Sequence, residues 1–191
     1  MVLDTSTEKS SLRKVLLERR DLTSYDFIKL ASQKIHNRLK QIEVFRNAKK
    51  IACYFPIGSE VMTQDIMQEL LGNGKEICLP KVVGDDLNFR KIMGLGDLEK
   101  GGFGIMEPKD NCPMVEDIDV VLVPTVGITK NGIRLGYGYG YYDRFLSKSN
   151  AKTISLTYSK QIVKSIPFSE KDIKIDWVVT EDESFETSNM R

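Results

Sequence analysis

The sequence predicts a three-layer α/β domain with a mostly parallel central sheet and N-terminal helices. Residues 1–48 carry apolar side chains at helical spacing, and from residue 49 onward short apolar runs alternate with amphipathic stretches. Such an alternation is typical of helices packed on the faces of a parallel sheet. At 191 residues we expect one domain over 1–191, with helices over 1–48, an α/β core over 49–182 and a polar tail over 183–191.

The N-terminal helices are predicted from periodicity and capping. The first contains apolar residues at helical spacing, namely Leu12, Val15, Leu16 and Leu17. Either Thr23 or Ser24 is suited to cap a second helix that runs to about Lys40. His36, the only histidine, falls in this second helix, where we interpret it as a surface or groove residue.

Five short apolar runs predict the strands of the core. They occupy residues 50–55, 76–80, 119–124, 151–158 and 175–182, the last being the final strand. Between the first two runs, Thr63 is a plausible N-cap and Gly72 a plausible stop for a helix, which makes a βαβ unit with parallel strands.

The remaining segments are predicted as turns and loops, with one further helix. The "GDD" sequence within 81–93 indicates a hairpin, and the Gly- and Pro-rich stretch 94–113 a surface loop. Asn131 and Gly132 form a predicted turn, and a helix is expected over 140–147.

Composition argues against several classes of protein. With 28 basic and 27 acidic residues the net charge is +1, without the basic excess that a nucleic-acid binder usually shows. Cys53, Cys78 and Cys112 are widely spaced, which argues against a zinc site and favours reduced thiols in a cytoplasmic protein. No apolar run reaches the roughly 18 residues of a membrane span, and the N-terminus has no apolar signal region. With a single histidine, chemistry must depend on carboxylates, lysine, arginine, backbone amides or a bound cofactor.

The most unusual segment is "RLGYGYGYYDRFL", residues 134–146, in which glycine and tyrosine alternate before a helix. A glycine-rich loop that opens a helix can bind an anion, because its amides point outward and the helix dipole adds about half a positive charge. The glycines fit neither the P-loop pattern nor the dinucleotide pattern GxGxxG, since Tyr141 stands where the last glycine of that pattern should be. The alternative is a tight turn whose glycines only permit unusual dihedral angles.

Two further alternatives concern the side chains of this segment. Tyr137 and Tyr139 are suited to flank a planar ligand, whereas Tyr142 and Phe145 can be core residues of the helix. Asp143, in the first helical turn, either complements the helix dipole or binds Mg²⁺ beside phosphates.

This segment resembles the signature of the 5-formyltetrahydrofolate cyclo-ligase family, also called methenyltetrahydrofolate synthetases. The resemblance extends nearly end to end, through "KSSLRKVLLERR" (9–20), "CYFPIGSEVMT" (53–63), "GIMEP" (104–108), "LVPTVGIT" (122–129), "TYSKQ" (157–161) and "DIKIDWVVTED" (172–182). It implies a Rossmann-like three-layer domain. It also implies ATP- and Mg²⁺-dependent conversion of 5-formyltetrahydrofolate into 5,10-methenyltetrahydrofolate with release of ADP and phosphate.

The resemblance also implies site residues. It places ATP on Lys9, Arg13, Arg134, Leu135, Gly136, Tyr137, Gly138, Tyr139, Gly140, Tyr141 and Tyr142. It places the folate, with or without a polyglutamate tail, on Phe55, Glu60, Tyr137, Gly138, Tyr139, Gly140 and Tyr141. It places Mg²⁺ on Asp143 and Asp176, and assigns catalytic roles to Arg134 and Tyr142.

Lys9 and Arg13 also fit this placement by their spacing. They lie four residues apart, so one helix face can present both to phosphates. The alternative for this pair is a solvated basic face.

Two rival functions remain. One is another phosphate-binding enzyme, such as a sugar-phosphate or coenzyme A enzyme, and the other is an RNA binder that stacks bases on tyrosines. The balanced charge argues against RNA, and we expect a monomer, with a dimer as the alternative.

Overall fold

The structure, a computed structural model, describes residues 5–187, except for the side chain of Phe103. The helices are α1 (Thr5–Asp21), α2 (Tyr25–Leu39), α3 (Glu43–Asn47), α4 (Gln64–Gly72) and α5 (Tyr141–Leu146). The strands are β1 (Lys50–Ala52), β2 (Glu76–Val83), β3 (Asp86–Ile92), β4 (Leu98–Lys100), β5 (Met106–Pro108), β6 (Val120–Pro124), β7 (Gly127–Ile128), β8 (Arg134–Leu135), β9 (Lys152–Leu156), β10 (Trp177–Val179) and β11 (Ser184–Glu186).

A seven-stranded sheet with the order β11-β10-β9-β6-β1-β2-β3 forms the centre of the domain. The inner strands pair in parallel, from β10 through β9, β6 and β1 to β2. The edge strands β3 and β11 are antiparallel to their neighbours. The prediction of a mostly parallel sheet is therefore confirmed.

The alternating sides of the strands form two cores, which gives the three layers. Ile51 and Leu122 pack on one face with α2 and α4, whereas Ala52 and Val121 pack on the other face with α5. Residues of the central strands are buried on both faces, as expected where helices cover a parallel sheet on both sides.

Capping and apolar spacing explain the position of α2. The side chain of Ser24, one of the two predicted caps, accepts a hydrogen bond from Phe27 N at 3.3 Å. The buried face of the helix consists of residues at helical spacing, Ile28, Ala31, Ile35 and Leu39. Each of the isoleucine and leucine side chains among them contributes about 1.5–3 kcal/mol when fully buried. His36, expected at the surface or in a groove, is buried, and its Nε2 lies 2.7 Å from Met62 O.

A third, smaller core attaches α1 to the rest of the domain. Leu16 packs with Val126, Leu135 and Ile166. Because Leu135 immediately precedes the glycine segment and Val126 follows β6, this core holds α1 beside the carboxyl end of the sheet.

Three expectations about elements need correction. The stretch 94–113 is not only a loop, because β4 and β5 pair within it as a small antiparallel sheet. The run 175–182 does not contain the last strand, because β11 follows it within the predicted polar tail; residues 188–191 of that tail lie outside the described residues. Helix α3 was not predicted, because five residues are too few to show a helical period.

No helix within residues 5–187 combines the length and apolar character needed to cross a membrane. Cys53, Cys78 and Cys112 are all buried and free, in agreement with the prediction of reduced thiols.

Candidate active site

A cavity of about 420 Å³ lies at the carboxyl end of the parallel strands. Its wall includes Pro124 at the end of β6, Tyr54 and Phe55 just after β1, and the glycine segment. Parallel sheets bind ligands at this edge, because the loops that follow neighbouring strands converge there. All but one of the predicted site residues line the cavity: Lys9, Arg13, Phe55, Glu60, Asp143 and every residue of the segment 134–142.

The glycine segment lies closely against two arginines. A Cβ atom on Gly136 would lie 2.6 Å from Arg134 Nη1, and one on Gly138 would lie 3.1 Å from Arg13 Cζ. Gly138 also has a φ of +104°, which L side chains rarely adopt. The glycines therefore permit both the backbone path and the approach of cations.

One face of α1 runs along the cavity and the glycine segment. Lys9, Arg13, Leu16 and Arg20 follow one another at spacings of four, three and four residues, so they share that face. Arg13 Nε donates to Gly136 O at 2.7 Å. Lys9 and Arg13 were predicted as site residues and Arg20 was not, although the same helical spacing indicates it.

Arg20 holds a buried polar network at the back of the cavity. Its Nη2 donates to the Tyr137 hydroxyl at 2.8 Å, and its Nε donates to Ser59 Oγ at 3.0 Å. The Tyr137 hydroxyl donates to Glu60 Oε1 at 2.7 Å. Arg20 Nη1 lies 3.9 Å from the same carboxylate oxygen.

Burial controls the electrostatics of Glu60. Desolvation raises the pKa of Glu60 above its ordinary value, although the Ile57 N–H, Tyr137 and Arg20 oppose the rise. Burial likewise raises the pKa of Tyr137, so its hydroxyl remains a proton donor. The carboxyl group of Glu60 is held in one orientation by the Ile57 N–H and the Tyr137 hydroxyl.

Two ion pairs line the other end of the cavity. Arg134 Nη2 lies 3.1 Å from Asp143 Oδ2, and Lys9 Nζ lies 2.5 Å from Asp172 Oδ2. Burial acts to raise the pKa of Asp172, but hydrogen bonds from Lys9 and Ser169 lower it below its ordinary value. This end of the cavity thus holds both cations and carboxylates.

Two buried donors of the cavity wall have no hydrogen-bond partner among residues 5–187. They are Arg134 Nε and the Tyr142 hydroxyl. The guanidinium of Arg134 also lies over the Tyr142 ring, 5.7 Å from its centroid. Because buried polar groups in proteins are nearly always paired, this pair is suited to a ligand rich in acceptor oxygens.

Tyrosines of the glycine segment form part of the rim. The rings of Tyr139 and Tyr141 stack with centroids 5.8 Å apart, and Arg144 lies over the Tyr141 ring. Tyr142 and Phe145 both contact Phe89, so the interpretation of these two as core residues is confirmed; Tyr142 lines the cavity as well.

The assignment of Asp176 to a metal site is wrong. Because β10 runs parallel to β9, Asp176 precedes its strand at the amino end of the sheet, opposite to the cavity. Its Oδ2 accepts hydrogen bonds from the amide and the hydroxyl of Thr153, each at 2.9 Å. Asp172 lines the cavity instead, and the adjacent Ile173 N donates to Asp143 Oδ1 at 3.2 Å.

The fold and cavity define the class of protein: an α/β domain with a ligand site over the carboxyl ends of its parallel strands. The model of the 5-formyltetrahydrofolate cyclo-ligase family matches residues 5–181. The chain belongs to this family, a family of enzymes, and the resemblance of the motifs is confirmed.

The similarity to named relatives extends over most of the length of both chains. The chain is 26% identical to the probable 5-formyltetrahydrofolate cyclo-ligase of Caenorhabditis elegans, over 92% of this chain and 94% of that protein. The structure is similar to that of the 5,10-methenyltetrahydrofolate synthetase of Aquifex aeolicus, with a TM-score of 0.84, 36% identity and coverage of 96% and 94%. The corresponding Mycoplasma pneumoniae enzyme gives a TM-score of 0.75, 27% identity and coverage of 91% and 99%.

Proposed function

We propose that this protein cyclises 5-formyltetrahydrofolate to 5,10-methenyltetrahydrofolate at the expense of ATP. The observation that carries the proposal is the convergence, in one cavity, of charged side chains of both signs and of apolar and aromatic side chains. Lys9, Arg13 and Arg134 supply positive charge for a triphosphate, and Phe55 and the tyrosines offer surfaces for rings. Membership of the family supports this choice of substrates.

The reaction needs activation of a formamide, whose carbon is a poor electrophile. Transfer of the γ-phosphoryl group to the formyl oxygen breaks the bond between the γ-phosphorus and its bridging oxygen and releases ADP. The amine at position 10 of the same folate then attacks the formyl carbon and loses its proton. Phosphate leaves with the former formyl oxygen, and the methenyl bridge remains.

The protein contributes positioning and electrostatic stabilisation to this reaction. Arg134 Nε and the Tyr142 hydroxyl, both unpaired and buried, are suited to donate hydrogen bonds to the oxygens of the transferring phosphoryl group. Glu60, oriented by Tyr137, accepts hydrogen bonds from the folate. Fixing both substrates in one cavity makes the transfer effectively unimolecular.

The carboxylates of the cavity fit a magnesium ion that arrives with ATP. Asp143 and Asp172 would hold it, and the ion would neutralise charge on the phosphate oxygens. Within residues 5–187 no three His, Cys, Asp or Glu side chains gather as a ready metal centre. Phosphate oxygens and water would supply the other ligands of the ion.

Absorbance of the methenyl product tests the proposed function directly. The protein is incubated with ATP, Mg²⁺ and 5-formyltetrahydrofolate, and ADP is measured in parallel. We expect the methenyl product and ADP in equal amounts, and neither when one substrate is omitted. Binding of phosphates without turnover would favour a different phosphate-binding enzyme and contradict the proposal.

A further inference from the structure

Glu107, in the "GIMEP" segment, is a buried carboxylate that its own fold leaves nearly unsatisfied. It lines the cavity from β5 and is 6% exposed. Its Oε1 accepts one long hydrogen bond, of 3.4 Å, from Val82 N. Within residues 5–187 it receives no other hydrogen bond, and no cation lies within ion-pair distance of it. A carboxylate that lines a cavity and has so few donors from its own fold is suited to accept hydrogen bonds from a ligand.

The surrounding structure accommodates this carboxylate without stabilising it. Glu99 lies directly opposite it in the β4–β5 pair, and like charges at such positions are unfavourable. The nearby Lys81 pairs with Glu99 and Asp110 instead. Gly101 leaves the room that the carboxylate occupies, because a Cβ atom there would lie 2.1 Å from Glu107 Oε2. A side chain with only a structural role gains nothing from a negative charge here.

The cavity wall beside Glu107 is apolar, which indicates the kind of ligand that would pair with it. This part of the lining consists of Pro80, Val82, Leu87, Ile105 and Met106. A flat ring can lie on such a wall, and amino groups at the edge of that ring would meet the carboxylate. A carboxylate only accepts hydrogen bonds, so it selects an edge that presents N–H donors.

We propose that Glu107 is a ligand-binding residue that accepts hydrogen bonds from an amino-substituted heteroaromatic ring. The inference rests on the proposed function, which brings two such rings, the 2-amino-4-oxopteridine of the folate and the adenine of ATP. The pteridine edge places the amino group next to a ring N–H, which matches both carboxylate oxygens. Adenine places its amino group next to a ring nitrogen that is an acceptor.

Binding measurements without turnover test this role in the full chain. Dissociation constants for 5-formyltetrahydrofolate and for ADP are measured by calorimetry for the wild type, Glu107→Gln and Glu99→Gln. We expect Glu107→Gln to weaken one ligand about 10- to 100-fold, because hydrogen bonds to charged groups are strong. The ligand that weakens identifies the ring, and Glu99→Gln, on the opposite strand, should bind both ligands as the wild type does.

Ligands that lack the amino group distinguish a loss of ligand recognition from a loss of folding in the variant. With a 2-desamino folate, which keeps the ring N–H, the difference in affinity between Glu107→Gln and the wild type should become smaller. With purine riboside diphosphate, in the adenine arm, the difference should vanish. The thermal midpoint of Glu107→Gln should stay or rise, since a like-charge pair is removed. Equal dissociation constants of wild type and Glu107→Gln for both parent ligands would overturn the inference. Tight binding of 5-formyltetrahydrofolate by the wild type without conversion would contradict only the proposed function, and absence of all binding would contradict both.

Discussion

The hydroxyl of Tyr137 donates a 2.7 Å hydrogen bond to Glu60 Oε1 and so joins the glycine segment to the loop that follows β1. Arg20 contacts both residues from α1. Three separate parts of the chain thereby hold one carboxylate at the wall of the cavity. This contact makes Glu60 the clearest position at which to separate folate binding from ATP binding.

Glu60→Gln should weaken the apparent affinity for 5-formyltetrahydrofolate about 10- to 100-fold and leave that for ATP nearly unchanged. The amide loses the charge that strengthens hydrogen bonds to the folate. Initial rates at varied concentrations of each substrate give both constants. Glu69→Gln, at an exposed site on α4, is the matched control. An unaltered folate constant would remove Glu60 from the folate site.

The same substitution should change how stability depends on pH. Burial raises the pKa of Glu60 above its ordinary value of 4.5, so the folded state favours the neutral form. The stability gained from that form is fully present below about pH 4.5 and is lost as the pH rises through the raised pKa. Glutamine cannot ionise and loses nothing. The free energy of unfolding of Glu60→Gln, measured with urea relative to the wild type, should therefore increase from about pH 4 to about pH 7. A difference that is constant or decreases over this range would contradict the raised pKa.

Arg13→Ala should weaken ATP binding about 10- to 100-fold and affect folate binding less. The substitution removes the positive charge of Arg13 from the cavity wall and the hydrogen bond from its side chain to Gly136 O. Titration with ADP and with 5-formyltetrahydrofolate gives the two affinities. Arg19→Ala removes an exposed arginine from another face of the same helix and should bind as the wild type does. A larger loss for the folate than for ADP would mean that α1 faces the other substrate.

Asp143→Asn and Asp172→Asn should each lower turnover by about 10²–10³ at low Mg²⁺, with partial recovery in excess Mg²⁺. Both carboxylates line the cavity. Asp143→Asn also breaks the pair with Arg134, which costs about 1–3 kcal/mol and leaves the domain folded. Rates measured over a range of Mg²⁺ concentrations check the expectation.

Asp176→Asn is the matched control for the two metal variants, because the Asp176 carboxylate accepts a hydrogen bond from Thr153 N at the amino end of the sheet. It should lower stability and leave the Mg²⁺ dependence unchanged. If Asp143→Asn turned over normally at low Mg²⁺, Asp143 would serve only the helix end, where a charge contributes about 0.3–1 kcal/mol.

Local patterns in the sequence were enough to predict most of the elements and much of the site. Helical spacing located α1 and α2 and placed Lys9 and Arg13 on one face, since that spacing depends only on neighbouring residues. The glycines and tyrosines of 134–142 identified the family, and the cavity contains every residue of that segment. Four of the five predicted strands were too long, because apolar runs continue beyond the residues that pair, whereas β2 extends three residues beyond its predicted run.

Only the tertiary structure decided which charged residues meet. Asp172 and Asp176 lie four residues apart in one motif, and the sequence alone does not show that, of the two, only Asp172 lines the cavity. The choice depends on β10 pairing in parallel with β9, which sets the end of the sheet at which Asp176 lies. Glu107 was missed for a similar reason, since its burial depends on the space that Gly101 leaves for its carboxylate. Spacing along the chain determines on which side of its own helix or strand a residue lies. Strand pairing and core packing join segments that are far apart in sequence, and they determine what that side contacts.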